Sequence, residues 1–243
     1  MGKFPAPQID KDGNEIMRDL CLKCFRPKAY CYCKFIKKVD SGIKFVFLMH
    51  PKEAKKQKTG TGRLAHLSLP ESEIIVGIDF TKNERVCALI KDPHYYPLLL
   101  YPGKDAWTCS KKGFKETLGQ KKLLVFVVDS TWFCSKKMLK LSTNITSLPK
   151  FSFEGSYKSI FTFKKEPEEY CLSTIESCYY LIKEMQSSSL VEKSINPEPL
   201  MDVFKKMIVF QLEKENERID SGLPGTHMKD VVYTKKKIIP TFD

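Results

Sequence analysis

The sequence contains no long uncharged apolar run, which argues against a membrane protein. None of its stretches approaches the roughly 20 consecutive apolar residues that a helix needs to span a bilayer. The first twelve residues also lack the apolar centre of a signal peptide. We therefore expect a cytoplasmic protein with no membrane contact, and its 42% of hydrophobic residues is enough for a core.

The sequence also lacks the evenly distributed cysteines of a disulfide framework. Nine cysteines is an odd number, and four of them are crowded into thirteen residues. Thiolates at Cys-x-x-Cys and Cys-x-Cys spacing can surround one zinc ion in a tetrahedral site. Four sulfur ligands leave no open position for a substrate, so such a site is structural. A reduced cluster without metal is the alternative, and the predicted zinc ligands are Cys21, Cys24, Cys31 and Cys33.

Acidic residues are absent between residues 20 and 39, although this segment carries six Lys or Arg. More basic clusters follow at 52–63, 111–122 and 136–140, whereas 183–220 holds eight acids against six bases. This distribution of the net charge of +12 predicts a polyanionic partner on the face that carries the candidate motifs. A lysine-rich surface that only improves solubility is the alternative. Near the zinc site, a phosphate-binding surface is predicted from Lys23, Arg26, Lys28 and Lys34.

Short apolar runs alternate with amphipathic or polar segments, which predicts an α/β fold with a parallel sheet and helices on both faces. We divide the chain into an N-terminal arm with the cysteine cluster (1–40), an α/β domain (41–220) and a flexible tail (221–243). The predicted strands are 44–49, 73–78, 97–101 and 122–128, with one or two edge strands between 151 and 163. The predicted helices lie within 59–69, 133–141, 173–186 and 199–217.

The sequence Asp129-Ser130-Thr131-Trp132 directly follows the apolar run 123–128. Ligand sites in open α/β sheets lie at the carboxyl ends of the strands, so these side chains are candidates for a binding site. Taken alone, the motif is better interpreted as a helix N-cap, because Asp, Ser and Thr all cap well and the residues after it suit a helix.

Four other segments have the same double interpretation. His50-Pro51-Lys52-Glu53 and the turn at 101–103 follow predicted strands, and the Gly-containing segment 59–62 leads into a helix with free backbone N–H groups that suit an anion. Leu172-Ser173-Thr174-Ile175-Glu176 is a capping box that could equally serve as an anion cradle. Local patterns do not decide between these interpretations.

In this order and spacing, the motifs resemble those of the DTW-domain family, the tRNA-uridine aminocarboxypropyltransferases. The resemblance covers residues 21 to about 185. It rests on the four clustered cysteines, His50-Pro51-x-Glu53, Thr61-Gly62-x-Leu64, Leu100-Tyr101-Pro102-Gly103, Asp129-Ser130-Thr131-Trp132 with Lys137-Met138, and Leu172-Ser173-Thr174-x-Glu176.

The resemblance implies a SPOUT-like parallel-sheet domain whose C-terminal part is knotted around bound S-adenosylmethionine. It also implies transfer of the 3-amino-3-carboxypropyl group of this co-substrate to N3 of a tRNA uridine. Asp129 is the candidate base, because N3 must lose its proton as it attacks and a carboxylate can accept it. The sequence indicates no obligate protein partner. The candidate residues for S-adenosylmethionine are Thr61, Pro102, Gly103, Ser130, Trp132, Ser173, Thr174 and Glu176.

The sequence departs from the family pattern at three positions. Gly60 stands where Asn is expected, Lys164 where Arg is expected, and Ser177 where Ala is usual. Lys164 keeps the positive charge but loses the bidentate fork of Arg. Two alternative functions stay open: a SPOUT-like RNA methyltransferase that uses S-adenosylmethionine, and a non-catalytic RNA-binding protein that contains zinc.

Overall fold

The computed structural model describes residues 19–56, 60–161, 171–223 and 234–242, together with the backbone of 8–9 and 15–16. Its centre is a sheet of five parallel strands in the order β4-β3-β6-β5-β7. The strands are β3 (Lys44–Met49), β4 (Ser72–Val76), β5 (Tyr95–Leu100), β6 (Lys122–Asp129) and β7 (Lys150–Phe151). A separate antiparallel pair is formed by β1 (Gln8–Ile9) and β2 (Glu15–Ile16).

This sheet confirms the predicted α/β fold with a parallel sheet. The predicted strand 44–49 is confirmed at both ends, and the other three are confirmed with ends shifted by at most two residues. These strands were recognisable because β3 and β6 are buried on both faces, which requires almost continuous apolar sequence. The short edge strand β7 overlaps the predicted edge region only at Phe151, and residues 152–161 form no strand. Phe163 and Lys164 lie outside the described residues.

Eight α-helices connect or flank these strands in the part of the chain that the structure describes. The four predicted helices correspond to α2, α5, α7 and α8, whereas α3 has no predicted counterpart because it buries only Val86 and Leu89. Residues 105–120, which lie between β5 and β6, contain one short helix, α4. The helices are α1 (Pro51–Lys56), α2 (Thr61–Ser68), α3 (Glu84–Lys91), α4 (Phe114–Leu118), α5 (Trp132–Leu141), α6 (Thr143–Thr146), α7 (Thr174–Ser187) and α8 (Glu198–Asp220).

The sheet separates two hydrophobic clusters, because successive side chains of a strand point to opposite faces. Phe45 and Phe47 of β3 pack with α2, α7 and α8 in the larger cluster. Val46 and Leu48 pack on the other face with α3 and α5. This arrangement confirms helices on both faces of the sheet. No helix among the described residues is both long and apolar enough to cross a membrane.

The cysteine segment is attached to α8 by aromatic contacts around a buried cation. Tyr32 and Val39 belong to the larger hydrophobic cluster. The Arg26 guanidinium lies 4.1 Å from the ring centroid of Tyr32 and 5.4 Å from that of Phe210, and only 6% of the residue is exposed. The prediction that Arg26 binds phosphate at the surface is therefore wrong, because its charge is enclosed by aromatic rings.

Candidate functional site

A cavity of about 630 Å³ opens at the carboxyl edge of the sheet, where β5, β6 and β7 end. This volume is typical of sites for small molecules. The first residues of α2, α5 and α7 all reach its wall, so three helix N-termini with their free backbone N–H groups surround it. Such a site suits a ligand that carries a carboxylate or another anionic group.

Asp129 is the last residue of β6 and lines this cavity. Asp129 pairs with Met49, the last residue of the parallel strand β3. After β3 the chain crosses to β4 at one edge of the sheet, and after β6 it crosses to β7 at the other edge. This is a topological switch point, where open α/β sheets bind their ligands. Asp129 is 7% exposed, and its Oδ1 accepts a hydrogen bond of 2.6 Å from Thr174 Oγ1 at the start of α7.

The N-cap of α5 is Thr131, not Asp129. The Thr131 hydroxyl accepts a hydrogen bond from the backbone N–H of Cys134, which is the usual capping contact. The capping interpretation is therefore wrong for Asp129, whose side chain contacts a different helix. By contrast, the capping box at the start of α7 is confirmed, because Glu176 accepts from the backbone N–H of Ser173.

Gly62 in α2 leaves the space that the Asp129 carboxylate occupies. A Cβ atom at position 62 would lie 2.4 Å from Cγ and Oδ2 of Asp129 and 2.7 Å from its Oδ1. These separations are far below van der Waals contact, and both groups belong to packed elements. The carboxylate of Asp129 is thus enclosed between Gly62 on one helix and Thr174 on another.

Tyr101 and Trp132 form an aromatic part of the cavity wall. Their rings are nearly parallel, with an interplanar angle of 12° and centroids 6.5 Å apart. Trp132 is 37% exposed, so it is not the core indole that one interpretation of the motif allowed. Lys136 Nζ lies 5.4 Å from the Trp132 ring, and this places a cation beside the exposed indole.

One face of α7 holds the opposite wall, which is formed by residues 152–158. Glu176, Tyr180 and Glu184 follow one another at intervals of four residues and therefore share this face. The fully buried Glu176 carboxylate accepts hydrogen bonds from Ser159 Oγ at 2.8 Å and from the Ile160 backbone N–H at 2.8 Å. Its oxygens are taken up by these contacts and by Ser173, which orients the start of α7.

Glu184 holds the other end of the same wall. Its Oε1 accepts hydrogen bonds of 3.0 Å from the backbone N–H groups of Glu154 and Gly155 and from the Tyr157 hydroxyl. The Tyr157 ring stacks on Tyr180 with centroids 3.9 Å apart. Burial, with the Glu184 carboxylate beside it, raises the pKa of Tyr157, so its hydroxyl stays a neutral donor. Glu184 therefore holds this wall through two backbone N–H groups and one side chain, the Tyr157 hydroxyl.

The four clustered thiols have the geometry of a metal site. The Sγ atoms of Cys21 and Cys33 are 3.7 Å apart, those of Cys24 and Cys31 are 3.6 Å apart, and all four lie within 4.8 Å of one another. A tetrahedron with zinc–sulfur bonds of about 2.3 Å has edges of about 3.8 Å, which matches these separations. Backbone N–H groups of Cys24 and Lys23 lower the pKa of Cys21 to about 6, whereas burial raises the pKa of Cys24 and of Cys33, so the case for a metal site rests on the sulfur geometry.

The family model of the DTW domain matches residues 18–212, which include both the cysteine cluster and the cavity. The chain belongs to the DTW domain family. A curated relative, "tRNA-uridine aminocarboxypropyltransferase 2" of Drosophila melanogaster, is 25% identical over 177 residues, which cover 70% of this chain and 68% of the relative. No solved structure matches the chain.

The cavity of this DTW domain brings together most of the residues predicted to hold a co-substrate. Two predicted residues, Gly103 and Glu176, are not part of its wall. Glu176 instead accepts hydrogen bonds from Ser173 and from residues 159 and 160, behind the wall. Residues 152–158 were missed, because their only local signal is a turn-like Glu-Gly-Ser sequence. The predicted residues that line the cavity are Thr61, Pro102, Asp129, Ser130, Trp132, Ser173 and Thr174.

We expect Gly62→Ala to destabilise the DTW domain by roughly 1 to 3 kcal/mol, because the new methyl group displaces the Asp129 carboxylate. In an Asp129→Ala background the same change should be neutral, or stabilising by up to about 1 kcal/mol, because alanine favours a helix and the obstacle is gone. Urea unfolding of the four chains in this double-mutant cycle measures the difference. Equal effects of Gly62→Ala in both backgrounds would contradict the proposed packing.

Glu184→Ala should release the cavity wall, because it removes the acceptor of three hydrogen bonds. Hydrogen–deuterium exchange of the Glu154 and Gly155 amides should become at least about tenfold faster. Glu184→Gln is the matched control, since its carbonyl oxygen can still accept from both amides. Unchanged protection in Glu184→Ala would mean that other contacts hold this wall.

The wild-type chain should contain one zinc ion, measured by native mass spectrometry. Cys33→Ser should lose the metal and make residues 20–39 sensitive to protease, because this segment then loses its internal crosslink. Cys134→Ser, outside the cluster, should keep one zinc. Protease resistance that survives both Cys33→Ser and chelation would show that the contacts with α8 alone hold the segment.

Proposed function

We propose that the chain is a transferase that modifies tRNA, moving the 3-amino-3-carboxypropyl group of S-adenosylmethionine to N3 of a uridine. Membership of the DTW domain family and the name of the Drosophila relative support tRNA modification. The observation that carries the specific reaction is the buried Asp129 carboxylate, which lies at the switch point of the sheet in a cavity of about 630 Å³.

The residues around the cavity fit S-adenosylmethionine. Thr61, Ser173 and Thr174 stand at helix N-termini and would hold the carboxylate of its methionine part. Tyr101 and Trp132 offer a flat aromatic surface for adenine, with Pro102 and Ser130 beside them. In this arrangement Glu176 is a positioning residue, because its carboxylate orients Ser173 without reaching the cavity.

Asp129 would accept the proton of uridine N3 while the new bond from N3 to carbon forms. When bound, S-adenosylmethionine supplies a carbon activated by the adjacent sulfonium, and the carbon–sulfur bond breaks with 5′-methylthioadenosine as the leaving product. Thr174 donates to Asp129 Oδ1 and thereby fixes the direction of the carboxylate. Because the leaving group is already activated, the main task of the protein is to align the two reactants and remove one proton.

The same proposal includes three finer features. The resemblance implies that the C-terminal part of the domain forms the knot of a SPOUT-like fold. Action in the cytoplasm is expected from the sequence, and zinc in the cysteine cluster would be structural because four sulfur ligands leave no open position. The basic segments 20–39 and 52–63 would contact the tRNA backbone, so affinity for tRNA should fall with increasing salt.

Asp129→Asn should reduce transfer at least about 100-fold, because an amide keeps the shape and the Thr174 contact but cannot accept the proton. Binding of tRNA should stay within about twofold, since Asp129 lies inside the cavity and not on the basic surface. The exposed Asp79→Asn is the matched control and should retain full activity. Formation of 5′-methylthioadenosine and mass spectrometry of the tRNA nucleosides measure the transfer.

Two outcomes would contradict the proposal. S-adenosylhomocysteine as the sole product would assign the chain to RNA methyltransferases. Full nucleoside modification in cells that express only Asp129→Asn would support an RNA-binding protein without catalysis. In cells that lack the protein, 3-(3-amino-3-carboxypropyl)uridine should be missing from at least one tRNA, and the wild-type chain should restore it.

A further inference from the structure

Phe25 is an exposed aromatic residue in an unusual backbone conformation. Its φ is +56°, in the left-handed region where bulky side chains are rare and glycine is favoured. The turn is held by its backbone, because Phe25 N–H donates to Cys21 O at 2.8 Å and Cys21 N–H donates to Arg26 O at 2.7 Å. The side chain is 55% exposed, so core packing does not explain why a large aromatic residue is tolerated here.

Arg63 of α2 covers one side of this ring. The central carbon of its guanidinium lies 4.3 Å from the ring centroid of Phe25, which is a close cation–π contact. Arg63 Nη2 also donates to the carbonyl oxygen of Ala54 at 3.3 Å, so the guanidinium is held from a second side. The pair is therefore a supported, partly exposed aromatic surface with a fixed positive charge.

This pair lies beside the cavity that contains Asp129. A small second cavity of about 20 Å³ separates the cysteine segment from α2, and Cys24, Arg63 and Gly60 line it. Gly60 also lines the large cavity, so the two sites share a wall residue. Burial lowers the pKa of Arg63, and the Asp129 carboxylate is near enough to oppose that shift.

The surroundings of Phe25 favour RNA over a protein as the partner of this surface. The segment 20–39 has six basic residues and no acid. Its exposed side chains include a second aromatic residue, Phe35, 39% exposed, whose ring centroid lies 5.0 Å from Lys34 Nζ. Exposed aromatic rings interspersed with cations are the usual means of binding single-stranded nucleotides, because every base has a flat face and every linkage a phosphate.

We propose that Phe25 and Arg63 form a stacking site for one RNA base that neighbours the uridine entering the cavity. Phe25 would stack on the base, while Arg63 supports the ring and adds positive charge near the adjoining phosphate. This inference rests on the proposed function for the identity of the RNA. It concerns a part of the surface that takes no part in the transfer of the group.

The decisive variant is Phe25→Gly, with binding measured on tRNA isolated from cells that lack the protein. Glycine adopts the left-handed conformation readily, so the turn and the metal content should be preserved while the ring is lost. Affinity for tRNA should fall about 5- to 100-fold, the usual effect of losing one base stack. Phe25→Trp should bind within about threefold of the wild type, because indole also stacks on bases.

The dependence on salt separates stacking from phosphate contact. Phe25→Gly should leave the slope of log affinity against log salt unchanged, whereas Lys23→Gln should reduce it by about one charge. Leu141→Ala truncates a 41% exposed side chain at the far end of α5 and serves as the matched control. Its affinity for tRNA and its salt slope should equal those of the wild type.

Wild-type affinity in Phe25→Gly would overturn the stacking site. Loss of zinc together with loss of binding would overturn it as well, because the ring would then be needed for the fold. Binding is measured without co-substrate, so the result is independent of the transfer reaction. If the wild-type chain forms no 5′-methylthioadenosine but Phe25→Gly still weakens tRNA binding, the proposed function is refuted and the stacking site is retained.

Discussion

The close packing of the Asp129 carboxylate between Gly62 and Thr174 joins three elements of the fold at one point. Asp129 ends β6, Gly62 lies in the first turn of α2, and Thr174 begins α7. Any shift of one helix relative to the sheet would either open the hydrogen bond of 2.6 Å or press the glycine backbone against the carboxylate. The position of both helices, and hence the width of the cavity between them, depends on this contact.

Much of the sheet could be predicted because parallel strands covered on both faces need uninterrupted apolar sequence. Because ligand sites in open α/β sheets lie at the carboxyl ends of the strands, the end of the predicted strand 122–128 identified Asp129 as a candidate from the sequence alone. Whether Asp129 or Thr131 caps α5 could not be predicted, because both residue types cap well and the choice depends on backbone angles. Helix α3 escaped prediction for a related reason, since eight residues with two buried side chains give a weak periodic signal.

The contacts of the buried charged residues Arg26 and Glu184 also could not be predicted, because their partners are distant in sequence. Composition suggested that Arg26 faces phosphate, but the aromatic rings of Tyr32 and Phe210 enclose it, and Phe210 is distant in sequence. Glu184 gave no signal at all, because its partners are backbone amides thirty residues earlier in the chain. Charged residues are usually exposed, so a buried one is recognisable only when its partners are known.

The support of the cavity wall by Glu176 and Glu184 has a consequence for how such sites diversify. Both carboxylates bind backbone N–H groups, which every residue except proline possesses. The backbone at Glu154, Gly155 and Ile160 is therefore held by contacts that do not depend on side chains, whereas Tyr157 and Ser159 add side-chain contacts and a Cβ atom at Gly155 would collide with the Tyr157 ring. Substitutions at an exposed lining residue such as Ser156 can alter the cavity while these backbone contacts keep the shape of its wall, so substrate preference can change during evolution without loss of the fold.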